Sequence, residues 1–348
     1  MIKKTLLLIL LSISANASET WTVKFAYDDG LIQNIFFIDE TTGWACANLP
    51  GVLKTEDGGN TWEKIYFGGN GRIDAIWFVT KNKGWAVGAH VIGGNYGDSG
   101  IRVLPVIYAT NDGGRSWNIQ KIVENSGAFS SLYFTDDKHG LAAGGVGGLP
   151  SGILYYTSDG GENWIEIDSP GSKQYNGFDY KKFIHDLYFI DPQLGWAMVN
   201  VVVATNIFHT SDGGKSWILQ STIDKGTSLS KMHFVDSMNG WVIGGRHSDP
   251  TSLLRTTDGG NTWKKVLLAH DENDDLWLAD VLFIDKMHGW ICGNNGTVFS
   301  THDGGDSWIK ESVLTEEFLV IIAATKSKIF IVGQNGNIYS KPLTRKIK

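Results

Sequence analysis

An all-β, seven-bladed propeller of four-stranded blades, its last blade closed by the N-terminal strand, is the fold predicted for this chain of 348 residues. Three observations predict it. The phrase Thr-x-Asp-Gly-Gly-x-(Ser/Thr/Asn)-Trp recurs six times, with aspartates at 57, 112, 159, 212, 258 and 303, and the spacings of 55, 47, 53, 46 and 45 residues match the period of one blade. Each phrase follows the same prelude of an apolar strand, a Gly-Trp step or its counterpart, and a short strand, as in Ile35-Phe-Phe-Ile-Asp39 and Gly43-Trp44. The chain also carries 43 Gly and 14 Trp against 7 Pro and has no amphipathic helical stretch of note, which suits short strands and tight turns.

Residues 1–17 open the chain as an export signal. Met1-Ile-Lys-Lys4 is a short positive start, Thr5 to Ser14 an apolar run, and Ala15-Asn-Ala17 a small-x-small cleavage site, so cleavage is expected between Ala17 and Ser18. The apolar run is shorter than the ~20 residues of a membrane span. No Cys follows the cut, so a lipid anchor is not expected. The mature protein is expected to be exported, periplasmic or extracellular, and not embedded in a membrane.

Residues 18–348 form one propeller domain, with blades expected at about 31–67, 72–123, 128–169, 183–223, 228–268, 277–313 and 317–341 plus 19–26. In each of the first six, Asp-Gly-Gly joins two β-runs. The glycines supply positive φ without steric cost, and the Asp carboxylate accepts bonds from backbone N–H groups of the turn. The Ser or Thr before the Trp adds a hydroxyl to that network, and the Trp buries a large ring beneath it. Asp57, Trp62, Asp112, Trp117, Asp159, Trp164, Asp212, Trp217, Asp258, Trp263, Asp303 and Trp308 are therefore structural. Six equivalent catalytic centres in one chain would be peculiar. The seventh unit lacks the phrase. Phe318-Leu-Val-Ile-Ile322, Ile329-Phe-Ile-Val-Gly333 and Asn337-Ile-Tyr-Ser340 supply three strands. Thr20-Trp21-Thr-Val-Lys-Phe25 supplies the fourth, because it reads like the outer strands Thr61-Trp62-Glu-Lys-Ile65 and Thr262-Trp263-Lys-Lys-Val266. Pairing the termini ties the ring shut.

Charge limits the choice of partners. The formal net charge is -7, and loss of residues 1–17 removes Lys3 and Lys4 and no acid, leaving -9. An acidic domain without a basic stripe excludes nucleic acid and anionic membrane surfaces. The two cysteines, Cys46 and Cys292, sit at matching places two blades apart and are expected to be buried free thiols. The nine His show no metal-ligand spacing. There is no phosphate loop, nucleophile elbow or Cys-His pair, so neither a cofactor nor a metal is expected. The acidic run His270-Asp-Glu-Asn-Asp-Asp275 lacks the spacing of an EF-hand and reads as a solvated loop.

The propeller places the Asp-Gly-Gly turns and the strand-one-to-two turns on one face. The other face takes the strand-two-to-three and blade-to-blade loops, where all the irregularity lies: 89–106, 144–152, 168–182, 244–253 and 269–277. Loops on a rigid scaffold carry function. That face also receives the start of each inner strand, read as Gln33-Asn34, Asp74-Ala75, Ser130-Ser131, His185-Asp186, Ser230-Lys231, Ala279-Asp280 and Leu319-Val320, a polar collar above an apolar body. Candidate partner-binding residues are Gln33, Asn34, Arg72, Asp74, Arg102, Tyr175, Tyr180, His185, Asp186, Lys231, Arg246 and Asp280. Aromatic and arginine side chains favour a protein or peptide partner. A monomer is expected.

The combined pattern Phe-x-Asp…Gly-Trp-Ala-x-Gly…Thr-x-Asp-Gly-Gly-x-Thr-Trp resembles the photosystem II stability and assembly factor family, exported seven-bladed propellers of the Asp-box (bacterial neuraminidase repeat) type. The third unit departs from it, with Gly140-Leu141 for Gly-Trp and Asn163 before Trp164. The resemblance implies a non-catalytic scaffold that engages an envelope or membrane-protein client. The family's arginine-rich patch does not transfer, because Arg72, Arg102, Arg246 and Arg255 are few and spread out. The alternative is a carbohydrate-binding or glycoside-hydrolysing Asp-box propeller, similar to sialidases or endoglucanases. A sialidase would need an Arg-Ile-Pro motif where this chain has Arg72-Ile-Asp. A glucanase would need a carboxylate pair, for which Asp74, Asp186 and Asp280 are the candidates. Tyr175 and Tyr180, with Phe178, would serve as stacking platforms for a glycan.

Overall fold

The computed structural model describes residues 20–343 apart from 28–29, 48–50, 68–69, 95–99, 126, 147–150, 172, 176–177, 181–183, 202–203, 225–228, 247–248 and 269–275. The expected signal at 1–17 and the acidic loop 270–275 lie outside the described residues. Seven four-stranded antiparallel sheets make up the ring. The first blade runs Ile32–Phe37, Gly43–Ala47, Gly51–Thr55, Glu63–Tyr66 from the axis outward, in chain order. The last is built from Leu319–Ala324, Lys328–Gly333 and Asn337–Pro342, with Thr22–Ala26 as its outer strand. Thr22 pairs with Ser340 and Ala26 with Asn337, so the N-terminal strand closes the ring as the sequence predicts.

The glycine of each Gly-Trp step is required by its own blade. A Cβ on Gly43, Gly84, Gly140, Gly195, Gly240 or Gly289 would lie 2.4 to 2.6 Å from a ring carbon of the Phe that ends the inner strand. That Phe covers the glycine, and the adjacent Trp points into the next blade. Trp44, Trp85, Trp196 and Trp241 stack on Phe78, Phe134, Phe234 and Phe283 of the following blade, with centroids 3.4 to 3.7 Å apart and planes within 9° of parallel. Their indole N–H groups donate to the first Gly carbonyl of the following Asp-Gly-Gly turn, at Gly113, Gly160, Gly259 and Gly304. The hydrophobic core is thus a set of interfaces between blades, each with residues from two neighbouring sheets.

The aspartates of the repeated phrase hydrogen-bond within their own turns. Asp57 Oδ1 accepts from Thr55 Oγ1 and from the Thr61 N–H, each at 2.9 Å, and Oδ2 accepts from Thr61 Oγ1 at 2.7 Å. The Thr that opens the phrase, Thr55, also accepts from the Gly59 N–H at 2.9 Å. Gly58 donates to the Thr41 carbonyl of the strand-one-to-two turn, which puts both turn sets on one face.

Two expectations need correction. Half of the segment 89–106 is strand: Gly84–Ile92 and Arg102–Thr110 stay paired as far as Ile92 with Arg102. Within 168–182, Lys173–Tyr175 pairs with Phe178–Tyr180 as a small separate hairpin.

Candidate functional site

Every inner strand bulges at the same place, between Ile32 and Asn34, Ile73 and Ala75, Phe129 and Ser131, Ile184 and Asp186, Leu229 and Lys231, Leu278 and Asp280, and Leu319 and Ile321. A bulge adds one unpaired residue and re-aims the side chains beside it. Sevenfold repetition at the channel mouth turns it into two stacked levels. The outer level is Gln33, Asp74, Ser130, His185, Ser230, Ala279 and Val320. The inner level is Asn34, Ala75, Ser131, Asp186, Lys231, Asp280 and Ile321. Blade seven is therefore one residue out of phase with the sequence alignment, which put Leu319-Val320 at these levels. Its run Leu-Val-Ile-Ile has no polar residue to fix the register.

The inner level carries Asp186, Lys231 and Asp280 on three consecutive blades. Lys231 Nζ lies 3.5 Å from Asp186 Oδ1. Each aspartate also ties its blade to the next: Asp186 Oδ2 accepts from the Met232 N–H at 2.9 Å, and Asp280 Oδ2 from the Ile322 N–H at 2.8 Å. Burial raises both carboxyls, Asp280 to about 6, against the opposing pull of the Lys231 ammonium. The two acids hold Lys231 in its charged form, raised above its ordinary range. Its side chain remains 45% exposed, so the cation meets water.

A pH test follows for Asp280. Its folded value of about 6 lies above the unfolded ~3.9, so the folded state holds the proton more tightly. The resulting stability is complete below pH ~4 and is lost as pH rises through about 6. Asp280→Asn removes this dependence. Urea melts at pH 4.5 and 7.5 should show the wild type losing stability between them relative to the variant; parallel profiles would contradict the assignment.

Below the charged level an aromatic girdle lines much of the channel. Phe36, Trp77, Tyr133, Tyr188 and His233 occupy the position before the inner-strand Phe on five consecutive blades. Phe36 meets Trp77 at 5.0 Å, Trp77 meets Tyr133 at 4.7 Å and Tyr188 meets His233 at 4.9 Å. Burial lowers His233 to about 4, so it is neutral near pH 7, and its Nε2 lies 2.8 Å from the Phe283 carbonyl. At the far end the channel opens to a space of about 520 Å³ between Tyr188, His233 and Phe283.

The other predicted site residues are scattered. Arg72 pairs with Asp74 at 3.0 Å within one strand, and Arg102 pairs with Glu124 at 2.9 Å on the extended hairpin. Neither belongs to the Asp-Lys-Asp cluster. Gln33, Asn34 and His185 are half-buried at the mouth. The side chains of Tyr175, Tyr180 and Arg246 lie outside the described residues. Cys46 and Cys292 are buried free thiols. No cluster of potential metal ligands occurs among the described residues. No described helix is long and apolar enough to cross a membrane.

Sequence reasoning missed Trp277, which is 48% exposed at the entry to blade six and packs 5.5 Å from Phe318. A signal was present. Of the 14 Trp, six close the repeated phrase and five follow the Gly of a Gly-Trp step. The three left over are Trp21 in the closing blade, Trp77 in the girdle and Trp277 on the long-loop face.

A family model described as photosynthesis system II assembly factor YCF48 matches residues 171–272 and 270–342. The photosystem II assembly lipoprotein Ycf48 of Synechococcus sp. (strain CC9902) is 25% identical over 278 residues, which is 67% of this chain and 78% of that protein. The chloroplastic photosystem II stability/assembly factor HCF136 of Oryza sativa subsp. japonica is 32% identical over 124 residues, 34% of this chain and 29% of that protein. Among solved structures, YCF48 bound to D1 peptide aligns with a TM-score of 0.69 at 19% identity, covering 93% of this chain and 96% of that one. A GH74 xyloglucanase from Xanthomonas campestris aligns equally well, with a TM-score of 0.69 at 13% identity, over 93% of this chain and 54% of that one. Likeness at such low identity concerns the fold alone.

Proposed function

The chain belongs to the photosynthesis system II assembly factor YCF48 family, and from that premise we propose that it is an exported, non-catalytic scaffold that binds a segment of a membrane-protein client across its long-loop face and channel mouth. The solved YCF48 holds a D1 peptide; what carries over is the class of partner, not its identity. The observation that carries the reading is the state of the mouth carboxylates. Asp186 and Asp280 each spend an oxygen on the backbone of the next blade and share the field of Lys231. Asp74 is held by Arg72. Such a surface recognises charge and shape. It does not offer the two independently poised carboxyls that glycoside hydrolysis requires. One observation favours a second reading: Asp280, raised to about 6, has the protonation behaviour of a general acid, on a fold shared with a xyloglucanase.

Trp277 is a better probe than Lys231, whose replacement would also strip two buried acids of their counter-charge. Exposed tryptophans are frequent hot spots. Crosslinking of the tagged mature protein in its own host, followed by mass spectrometry, should place a membrane or envelope protein on the long-loop face. Trp277→Ala should then weaken capture about tenfold or more, roughly 1.4 kcal/mol, with an unchanged melting temperature. Crosslinks confined to the Asp-Gly-Gly face, or undiminished capture by the variant, would count against the proposal. Hydrolysis of a β-glucan that is lost in Asp280→Asn would establish the second reading.

A further inference from the structure

The joint between blades three and four differs from its neighbours. Leu141 stands there where Trp44, Trp85, Trp196 and Trp241 stand elsewhere, since Leu141 pairs with Tyr156 as Trp44 pairs with Lys54. Beside Leu141 lies a crevice of about 240 Å³ on the Asp-Gly-Gly face, with Leu141, Tyr133, Tyr156, Gly213 and Lys215 among its walls. At four of the other six joints, the equivalent of the Gly213 carbonyl accepts an indole N–H. Phe189, whose counterparts are covered by tryptophan, is instead approached by Tyr133 at 4.8 Å. The Lys215 ammonium lies 5.6 Å from the Tyr156 ring centre at the same opening. The joint's own Trp217, like Trp62, has a buried indole N–H without an acceptor among the described residues, whereas Trp117, Trp263 and Trp308 donate to the second Gly of their turns.

We propose that this crevice is a binding site for a planar aromatic ligand with an N–H donor, the chemistry of an indole. It lies beside Leu141 and Gly213, the places that at four other joints hold an indole and its carbonyl acceptor. Its walls supply Leu141, two phenol rings and the Gly213 backbone, with Asp136, His139 and Lys215 as polar neighbours. Cavities of roughly 150 Å³ lined by apolar side chains already take up benzene, so the space suffices. The ligand enters from solvent on the face opposite the proposed client surface, and the two proposals fail independently.

Indole is the probe. In amide proton–nitrogen spectra of the wild-type protein, millimolar indole should shift Gly140, Leu141 and Gly213 and leave the equivalent glycines Gly113, Gly160, Gly259 and Gly304 in place. Leu141→Trp fills the crevice with the chain's own side chain and should weaken indole binding at least tenfold while keeping a cooperative melt. N-acetyl-tryptophanamide separates the sources of the ligand. Binding as tight as that of indole points to a partner's tryptophan side chain, and binding of indole alone points to a free small molecule. The absence of wild-type shifts, shifts spread over the other joints, or undiminished binding in Leu141→Trp would each overturn the proposal. Because the spectra use the wild type, the test stands even if the variant folds poorly.

Discussion

A chain that starts after Tyr27 is expected to lose its cooperative thermal transition. The physical reason lies in what the first described strand covers. Trp21 is 7% exposed and Tyr27 3% exposed, and the Tyr27 N–H donates to the Gly336 carbonyl at 3.0 Å. Aromatic side chains bury 150–250 Å² each, so at ~25 cal/mol per Å² these two alone represent on the order of 8–12 kcal/mol, an upper bound. That is comparable to the whole 5–15 kcal/mol stability of a typical domain. Removing the strand also leaves Asn337–Pro342 as an unpaired edge, which invites aggregation. Glu311→Ala is the single-residue form of the experiment. Glu311 accepts from Trp21 Nε1 at 2.7 Å, Trp290 Nε1 at 3.3 Å and Lys341 Nζ at 2.9 Å, joining both termini to blade six. Its removal leaves a largely buried ammonium unpaired, which costs about 3–5 kcal/mol. Burial opposes ionisation of Glu311, but Lys341 and its other hydrogen bonds hold its carboxyl below the ordinary range. Its contribution is therefore present above the unfolded value near ~4.3 and is lost as pH falls through the folded one. Differential scanning calorimetry checks both variants. A single sharp transition within a few degrees of wild type in the truncated chain would show that ring closure does not hold the fold together.

The blade seven case shows where the sequence was legible and where it was not. The motif that marks six blades is local: a Thr, an Asp, two glycines and a Trp within eight positions. Its hydrogen bonds are equally local, as from Thr61 to Asp57, so they can be read without knowing the fold. The closing strand was legible too, because Thr20-Trp21 repeats the Thr-Trp start of outer strands. The bulge in each inner strand leaves no mark on residue type: Gln33, Ser230 and Val320 all occupy it. The Asp186–Lys231–Asp280 cluster depends on three blades presenting one level to a common axis, and residues about 45 apart meet only once the ring closes. The aromatic girdle was overlooked for a related reason. Phe36, Trp77, Tyr133, Tyr188 and His233 look like ordinary strand residues until their shared position before the Phe is aligned. Glu311 does the work of a missing motif. Blade seven has no Asp-Gly-Gly turn to accept the Trp290 N–H, and a carboxylate from blade six accepts it instead. Across the last joint, Phe330 stacks on Phe37 at 4.5 Å, and the Lys328 ammonium donates to Gly58 at 2.8 Å where other joints use an indole.

These exchanges at the joints lead to the second large effect. Trp196→Ala is expected to cost about 3–5 kcal/mol, the range for removing a fully buried Trp. Trp196 is 1% exposed and stacks on Phe234 at 3.7 Å with planes 3° apart. Its N–H donates to the Gly259 carbonyl at 3.0 Å, so the truncation also leaves a buried acceptor without its donor. Trp196→Leu should cost less, because the chain itself uses Leu141 at the equivalent place and keeps the same sheet pairing there. Leucine restores part of the apolar contact but cannot donate, so the two variants separate packing from hydrogen bonding. Chemical denaturation of the wild type and both variants measures the order, with a stability loss for alanine exceeding that for leucine and both exceeding zero. The leucine variant should also acquire a crevice like the one beside Leu141 and bind indole there. Equal losses for the two variants would mean that the indole N–H, not the ring, holds the blades together. A leucine variant as stable as wild type would mean that the repeated tryptophan is not required for joining blades four and five.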